Sequence, residues 1–173
     1  LHYAVSFPGR QHLTARNLRL SPLHSRLEDA GAAFGQRMGW EKPRWFNPKG
    51  KKTDPDLSFG RPGWGIFQAD EHKSARESVV LFDQSSFGKL LVQGNDAEKT
   101  LQRLCANDIS KSNKRVVYSS MLNYRGGIES DLTIMSLNED SFLLITGTGQ
   151  PIRDRDWIIR NVKKEDHVFV TDV

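Results

Sequence analysis

Tyr118-Ser119-Ser120-Met121-Leu122-Asn123-Tyr124-Arg125-Gly126-Gly127-Ile128-Glu129-Ser130-Asp131-Leu132-Thr133-Ile134-Met135 reads as two strands joined by a tight turn. Gly126 and Gly127 supply the positive-φ freedom that a hairpin loop needs. In the second strand the two-residue period places Ile128, Ser130, Leu132 and Ile134 on one face and Glu129, Asp131, Thr133 and Met135 on the other. The latter set mixes acid, hydroxyl and thioether. An acidic residue on an exposed strand needs no special explanation, so by pattern alone a solvated face and a binding face both stand open.

Outward from this hairpin, alternation predicts strands over 87–93, 116–122, 128–135 and 141–146, with turns at 123–127 and 138–140. Asn95 with Glu98 three residues on makes a capping-box pattern, and Leu101, Leu104 and Cys105 give the buried stripe of a helix. A second helix is expected over 150–162 around Ile152, Trp157 and Ile158, and a last strand over 167–171. The order predicts an α+β fold, an antiparallel or mixed sheet covered on one face by helices. Toward the N-terminus, Ser21-Pro22 is a good helix start, and Leu23, Leu27, Ala30, Phe34 and Met38 recur at helical spacing. That predicts an amphipathic helix over 21–38, stopped by Gly39. Residues 40–64 carry Pro43, Pro48, Pro55 and Pro62 without a sustained period and read as a long connection, with a short polar helix over 70–79 after it.

Composition bounds what such a chain can do. With 173 residues and 37% hydrophobic composition it can bury one ordinary core and a smaller satellite, as a soluble globular chain. No apolar run approaches the roughly 20 residues that span a bilayer, and residues 1–8 lack a signal-peptide pattern. No membrane partner is expected. Residue 1 is Leu, and alternation at Leu1, Tyr3, Val5 and Phe7 begins at once, so the sequence is expected to be a fragment entered mid-strand. Net charge is +4, yet 21 acids are interspersed among 25 bases, and the cluster Lys49, Lys51 and Lys52 lacks stacking aromatics; no nucleic-acid partner is expected. The single cysteine, Cys105, excludes an internal disulfide and reads as a buried thiol. The five histidines have no metal-ligand spacing, so no metal is expected. Gly147-Thr148-Gly149 is followed by Gln150-Pro151-Ile152 where a dinucleotide loop needs its third glycine.

The quoted stretch resembles the T-protein of the glycine cleavage system and its dehydrogenase-fused relatives. There a strand ending in Met-Leu-Asn leads through Gly-Gly into a strand carrying an essential aspartate; here Met121-Leu122-Asn123, Gly126-Gly127 and Asp131 stand in that order. T-proteins usually carry two adjacent acids. Ser130-Asp131 is instead similar to the form of the sarcosine and dimethylglycine oxidising enzymes. Leu81-Phe82-Asp83-Gln84-Ser85-Ser86-Phe87-Gly88-Lys89 and Ala106-Asn107-Asp108-Ile109 resemble two further segments of the family. Arg16-Asn17-Leu18-Arg19, Ser21-Pro22-Leu23 and Gly39-Trp40-Glu41-Lys42-Pro43-Arg44-Trp45-Phe46 are similar to the segment joining flavin and folate domains in N-methylglycine dehydrogenases, a segment expected to be missing from standalone T-proteins. The Trp/Pro run itself is expected to be structural.

The resemblance implies a T-protein-like folate-binding fold, incomplete at its C-terminus: residues 1–56 as the end of a flavin-domain strand plus a linking segment, and residues 57–173 as the N-terminal part of the folate-binding domain. It implies a portion of a flavin-dependent sarcosine or dimethylglycine dehydrogenase, in which the carbon of an oxidised N-methyl amine passes to tetrahydrofolate. FAD would belong to the flavin domain of the full-length chain, and the fragment alone would be inactive. Asp131 is implied as the catalytic residue, and Tyr118, Asp131, Thr133, Met135 and Phe87 as folate-binding. Thr146 in Ile145-Thr146-Gly147 replaces the family's usual Asn, which puts a polar contact there in question. The implied compartment is the bacterial cytoplasm or the mitochondrial matrix. Two alternatives are a non-catalytic regulatory subunit of the pyruvate dehydrogenase phosphatase type, to which Asp131 would be of no use, and a standalone aminomethyltransferase.

Overall fold

The computed structural model describes Tyr3, Gly50 and residues 10–47, 60–110 and 116–173. Leu1, Val5 and Phe7 of the first alternating run, the lysines Lys49, Lys51 and Lys52, and the expected boundary at 56/57 lie outside those residues. Contacts divide the chain into two compact units, Leu1–Ser86 and Phe87–Val173.

In the first unit, the Ser21 hydroxyl accepts the Leu23 N–H at 3.1 Å and leads into α1, His24–Asp29. The helix expected over 21–38 ends there. Gly31 adopts φ 84°, which breaks the helical path, and the chain turns into β1, Ala32–Arg37. β1 pairs antiparallel with β2, Trp40–Phe46, across Met38 (φ 52°) and Gly39 (φ 83°). Two consecutive positive-φ residues make the tight turn that matches strand twist. The expected connection at 40–64 therefore begins as a strand. Pro43 is tolerated because the register shifts between Ala33 and Phe34, and this two-stranded ribbon gives the proline an edge.

The Gly-Trp-Glu-x-Pro-x-Trp run is structural here, as its composition suggested. Buried Glu41 accepts Arg16 Nε at 2.8 Å and the Asn17 N–H at 2.9 Å. Those bonds, Arg16 first, hold the Glu41 carboxyl below the usual carboxylate range. Trp45 is buried and stacks on Trp64 with centroids 5.6 Å apart. α2, Gly65–Glu77, starts earlier than the polar helix expected over 70–79, and its Glu71 takes the Phe46 N–H at 2.8 Å.

The second unit is a five-stranded antiparallel sheet in the order β4-β5-β6-β3-β7. Its strands are β3 (Gly88–Gln93), β4 (Val116–Leu122), β5 (Ile128–Asn138), β6 (Ser141–Thr146) and β7 (Phe169–Asp172). α3, Ala97–Leu104, and α4, Pro151–Asn161, cover one face. Leu90, Val92, Leu132, Ile134, Phe142 and Leu144 of the strands close one core with Leu101, Leu104 and Ile158 of the helices. Each such side chain contributes roughly 1.5–3 kcal/mol by leaving water. Cys105 is buried there, which pushes its thiol up to about 12.

The capping box does not form. Asp96, not Asn95, is the N-cap of α3, and its carboxylate accepts the His167 N–H at 2.9 Å and Lys99 Nζ at 3.3 Å. The chain entering β7 lies so near that a Cβ on Gly94 would stand 2.1 Å from the His167 carbonyl oxygen. That approach draws Asp96 to the incoming strand and away from the helix N-H groups.

Candidate functional site

α3 and α4 leave the opposite sheet face to β4 and β5, and the sequence-expected acid lies on it. Ser120 pairs with Asp131, Tyr118 with Thr133 and Val116 with Met135, so these six side chains share one face. Across β6 the floor continues with Ile145 opposite Thr133 and Leu143 opposite Met135. The face thus combines one carboxylate with apolar and thioether surface.

Asp131 and Tyr118 are diagonal neighbours. The Tyr118 hydroxyl donates to Asp131 Oδ2 at 2.8 Å, and both residues are exposed. This bond to an anion holds the Tyr118 phenol above its ordinary value, so it remains a donor through neutral and mildly alkaline pH. The phenol bonds one of the two carboxylate oxygens, Oδ2. Thr133 and Met135 follow along β5, half-buried. Phe87 stands apart, because it precedes β3 and β6 separates β3 from β5.

Local sequence explains this presentation. Asn123 Oδ1 accepts the N–H groups of Arg125 at 3.0 Å and Gly127 at 2.9 Å, closing the hairpin from inside. Gly126 takes φ 77°, whereas Gly127 is needed for space: a Cβ there would stand 2.9 Å from Asn123 Nδ2. Asn107 Nδ2 donates to the Tyr118 carbonyl at 3.1 Å and Ala106 N–H to the Ser120 carbonyl at 2.9 Å. The Ala-Asn-Asp segment therefore clasps the outer edge of β4, the strand that carries the phenol.

Two departures from simple alternation matter. Leu122 pairs with Ile128 and Met121 with Ser130, so Glu129 is the extra residue of a bulge and leaves the Asp131 set. Its carboxylate accepts Asn123 Nδ2 at 2.9 Å and Arg153 Nη2 at 2.9 Å, which together hold it below the usual range. Under the sheet, Asp154 of α4 is buried and accepts the hydroxyls of Ser130, at 2.8 Å, and Thr146. Thr146 therefore points its hydroxyl to α4 and not to the Asp131 face. Asp154 escaped sequence reasoning, although its i, i+4 spacing to buried Ile158 marks it as an acid on the inward side of a helix.

The model of the GCVT N-terminal domain matches residues 23–173. The chain belongs to the glycine cleavage T-protein family. The chain is 45% identical over 144 residues to 4-methylaminobutanoate oxidase (formaldehyde-forming) of Paenarthrobacter nicotinovorans, covering 83% of the chain and 18% of the relative. It is 33% identical to the mouse mitochondrial pyruvate dehydrogenase phosphatase regulatory subunit, over 100% of the chain and 20% of that protein. Human mitochondrial sarcosine dehydrogenase matches at 34%, over 79% of the chain and 17% of its own length. Among solved structures, the aminomethyltransferase T of the Bartonella henselae glycine cleavage system superposes with a TM-score of 0.70 at 25% identity, over 90% of this chain and 38% of that one. The chain thus spans about a fifth of the length of these three curated relatives. The family match begins at residue 23, inside the segment expected to be missing from standalone T-proteins. Among the described residues, no helix is long and apolar enough to cross a membrane.

Proposed function

We propose that this chain is the folate-binding part of a longer flavin-dependent N-methyl amine dehydrogenase, which passes the carbon of an oxidised N-methyl group to tetrahydrofolate. The observation that carries the reading is a carboxylate held by a phenol on an open sheet face floored with Thr133, Met135, Leu143 and Ile145. A flat heteroaromatic ring suits that floor, and its N–H edge suits the Asp131 oxygen not bonded to Tyr118. Relatives named as oxidase and dehydrogenase of N-methyl compounds support the reaction class. The bacterial cytoplasm or the mitochondrial matrix is the compartment we propose with it.

Tetrahydrofolate supplies the amine that takes up the carbon. Asp131 does the rest by charge. An ionised carboxylate is a weak base, so its work is to orient that amine and to stabilise positive charge at the reacting carbon. At about 4 Å and an effective dielectric near 20 this is worth on the order of 4 kcal/mol, roughly a thousandfold in rate if it acts only in the transition state. Tyr118 keeps the carboxylate in one orientation. We assign FAD to the flavin domain of the longer protein; Pro151 at the first position of α4 removes one of the N–H groups that a pyrophosphate would use at the turn from β6.

The test is Asp131→Asn in the full-length protein. Flavin reduction by the N-methyl amine should survive, folate-dependent turnover should fall by up to about a thousandfold, and more of the carbon should leave as free formaldehyde. Equal loss of flavin reduction and folate turnover would count against the reading. A second reading, a regulatory subunit without catalysis, is favoured by the match to the phosphatase regulatory subunit along the whole chain. It requires that the full-length protein reduce no flavin with any N-methyl amine.

A further inference from the structure

β5 changes register at the place where it presents its acid. With Leu122 opposite Ile128 and Met121 opposite Ser130, the bulge at Glu129 sits two residues before Asp131. A slip by one residue at such a point exchanges faces: Ser130 would turn outward and Asp131 would turn into the apolar core. Two consecutive residues of α4 hold two consecutive residues of the strand here. Arg153 Nη2 lies 2.9 Å from Glu129 Oε2, and Asp154 Oδ2 accepts the Ser130 hydroxyl at 2.8 Å. Asp154 is buried, so a slipped strand would leave its carboxylate short of a donor, and a buried polar group that loses its partner is costly.

We propose that Arg153 and Asp154 form a register lock on β5, and that they are positioning residues for Asp131. The functional sense of the lock rests on the reading of Asp131 given above; the lock itself rests on the bulge and the two paired contacts. Thr146 provides an internal control, because its hydroxyl bonds the same carboxylate from β6 and touches no residue of β5 by that bond.

The experiment follows the Tyr118 phenol in the full chain by the 13Cζ resonance, assigned with Tyr118→Phe. In the parent chain the phenol titrates above the ordinary value of about 10, held there by Asp131. In the double variant Ser130→Ala, Arg153→Ala the midpoint should fall to about 10, or a second Tyr118 signal should appear as the strand samples the slipped register. Thr146→Val should leave the titration in place. An unchanged titration in the double variant, or an equal shift in Thr146→Val, overturns the lock. If the double variant does not fold, Arg153→Ala alone, at an exposed position, carries the test: a second Tyr118 signal supports the lock and a single unaltered one overturns it. The measurement needs no folate, so it stands or falls separately from the turnover test on Asp131→Asn.

Discussion

At the scale of single residues, the Tyr118 to Asp131 hydrogen bond joins two strands and two chemical roles. The donor is a phenol whose proton is held tightly by the anion it serves. Removing it leaves the carboxylate charged but free to rotate, so charge stabilisation should persist while orientation suffers. Tyr118→Phe in the full-length protein is therefore expected to weaken folate binding about three- to tenfold, the worth of one hydrogen bond. It should leave flavin reduction unchanged and cost far less turnover than Asp131→Asn. A titration of folate against intrinsic fluorescence, run beside the rate assay, separates the two effects. A Tyr118→Phe protein as slow as Asp131→Asn would mean that the phenol itself takes part in the chemistry.

At the scale of elements, the β4–β5 hairpin shows how a short motif fixes a strand pair. Asn123 accepts two turn N–H groups and donates to Glu129, so its amide cannot move aside cheaply. Gly127→Ala would push a methyl against that amide, with a predicted loss of about 1–2 kcal/mol of unfolding free energy in urea titrations. Gly126→Ala should cost a similar amount for a different reason, the φ of 77°. The hairpin was legible in the sequence because a half-buried antiparallel strand writes its burial as alternation, and β3, β4, β5 and β6 all do so. The β1–β2 ribbon of the first unit was not legible for the same physical reason reversed. Leu23, Leu27, Ala30, Phe34 and Met38 fall at helical spacing by coincidence, and the β1–β2 turn puts Met38 at φ 52°, where propensity leads one to expect Asn or Asp. Pro43 disguised β2 further, since proline in a strand is tolerated only at an edge or a bulge. At the site, alternation put Asp131, Thr133 and Met135 on one face, and only the family resemblance singled out Asp131; alternation could not find the bulge that removes Glu129 from that face, nor the pairing of Ser130 with Asp154. Both depend on contacts with α4 that lie more than twenty residues away in sequence.

At the scale of the whole molecule, every residue of the large core cluster, from Leu90 to Ile158, belongs to the second unit. Residues 87–173 are therefore expected to fold when expressed alone, giving dispersed amide resonances and a cooperative thermal transition. One contribution to the pH range of that transition lies where β7 enters the sheet. The buried Asp166 carboxylate accepts Lys99 Nζ at 2.9 Å and lies 4.0 Å from Arg103, while Asp96 on the same lysine also takes the His167 N–H. The bond to Lys99 holds Asp166 below the usual carboxylate range, and Asp166 in turn holds Lys99 above the usual ammonium value. A depressed acid contributes stability above its unfolded value, about 3.9, and that contribution is lost as pH falls through the folded value. A raised lysine contributes below its unfolded value, about 10.4, and loses that contribution as pH rises through the folded one. The clamp should thus act at full strength from about pH 5 to about pH 10. Asp166→Asn removes the anion from both limbs, so the variant should be less stable across this plateau and should lose less than the parent on going to pH 3. Melting temperatures measured from pH 3 to pH 10 on both proteins check this, and parallel curves offset by a constant amount would show that Asp166 serves packing and not charge.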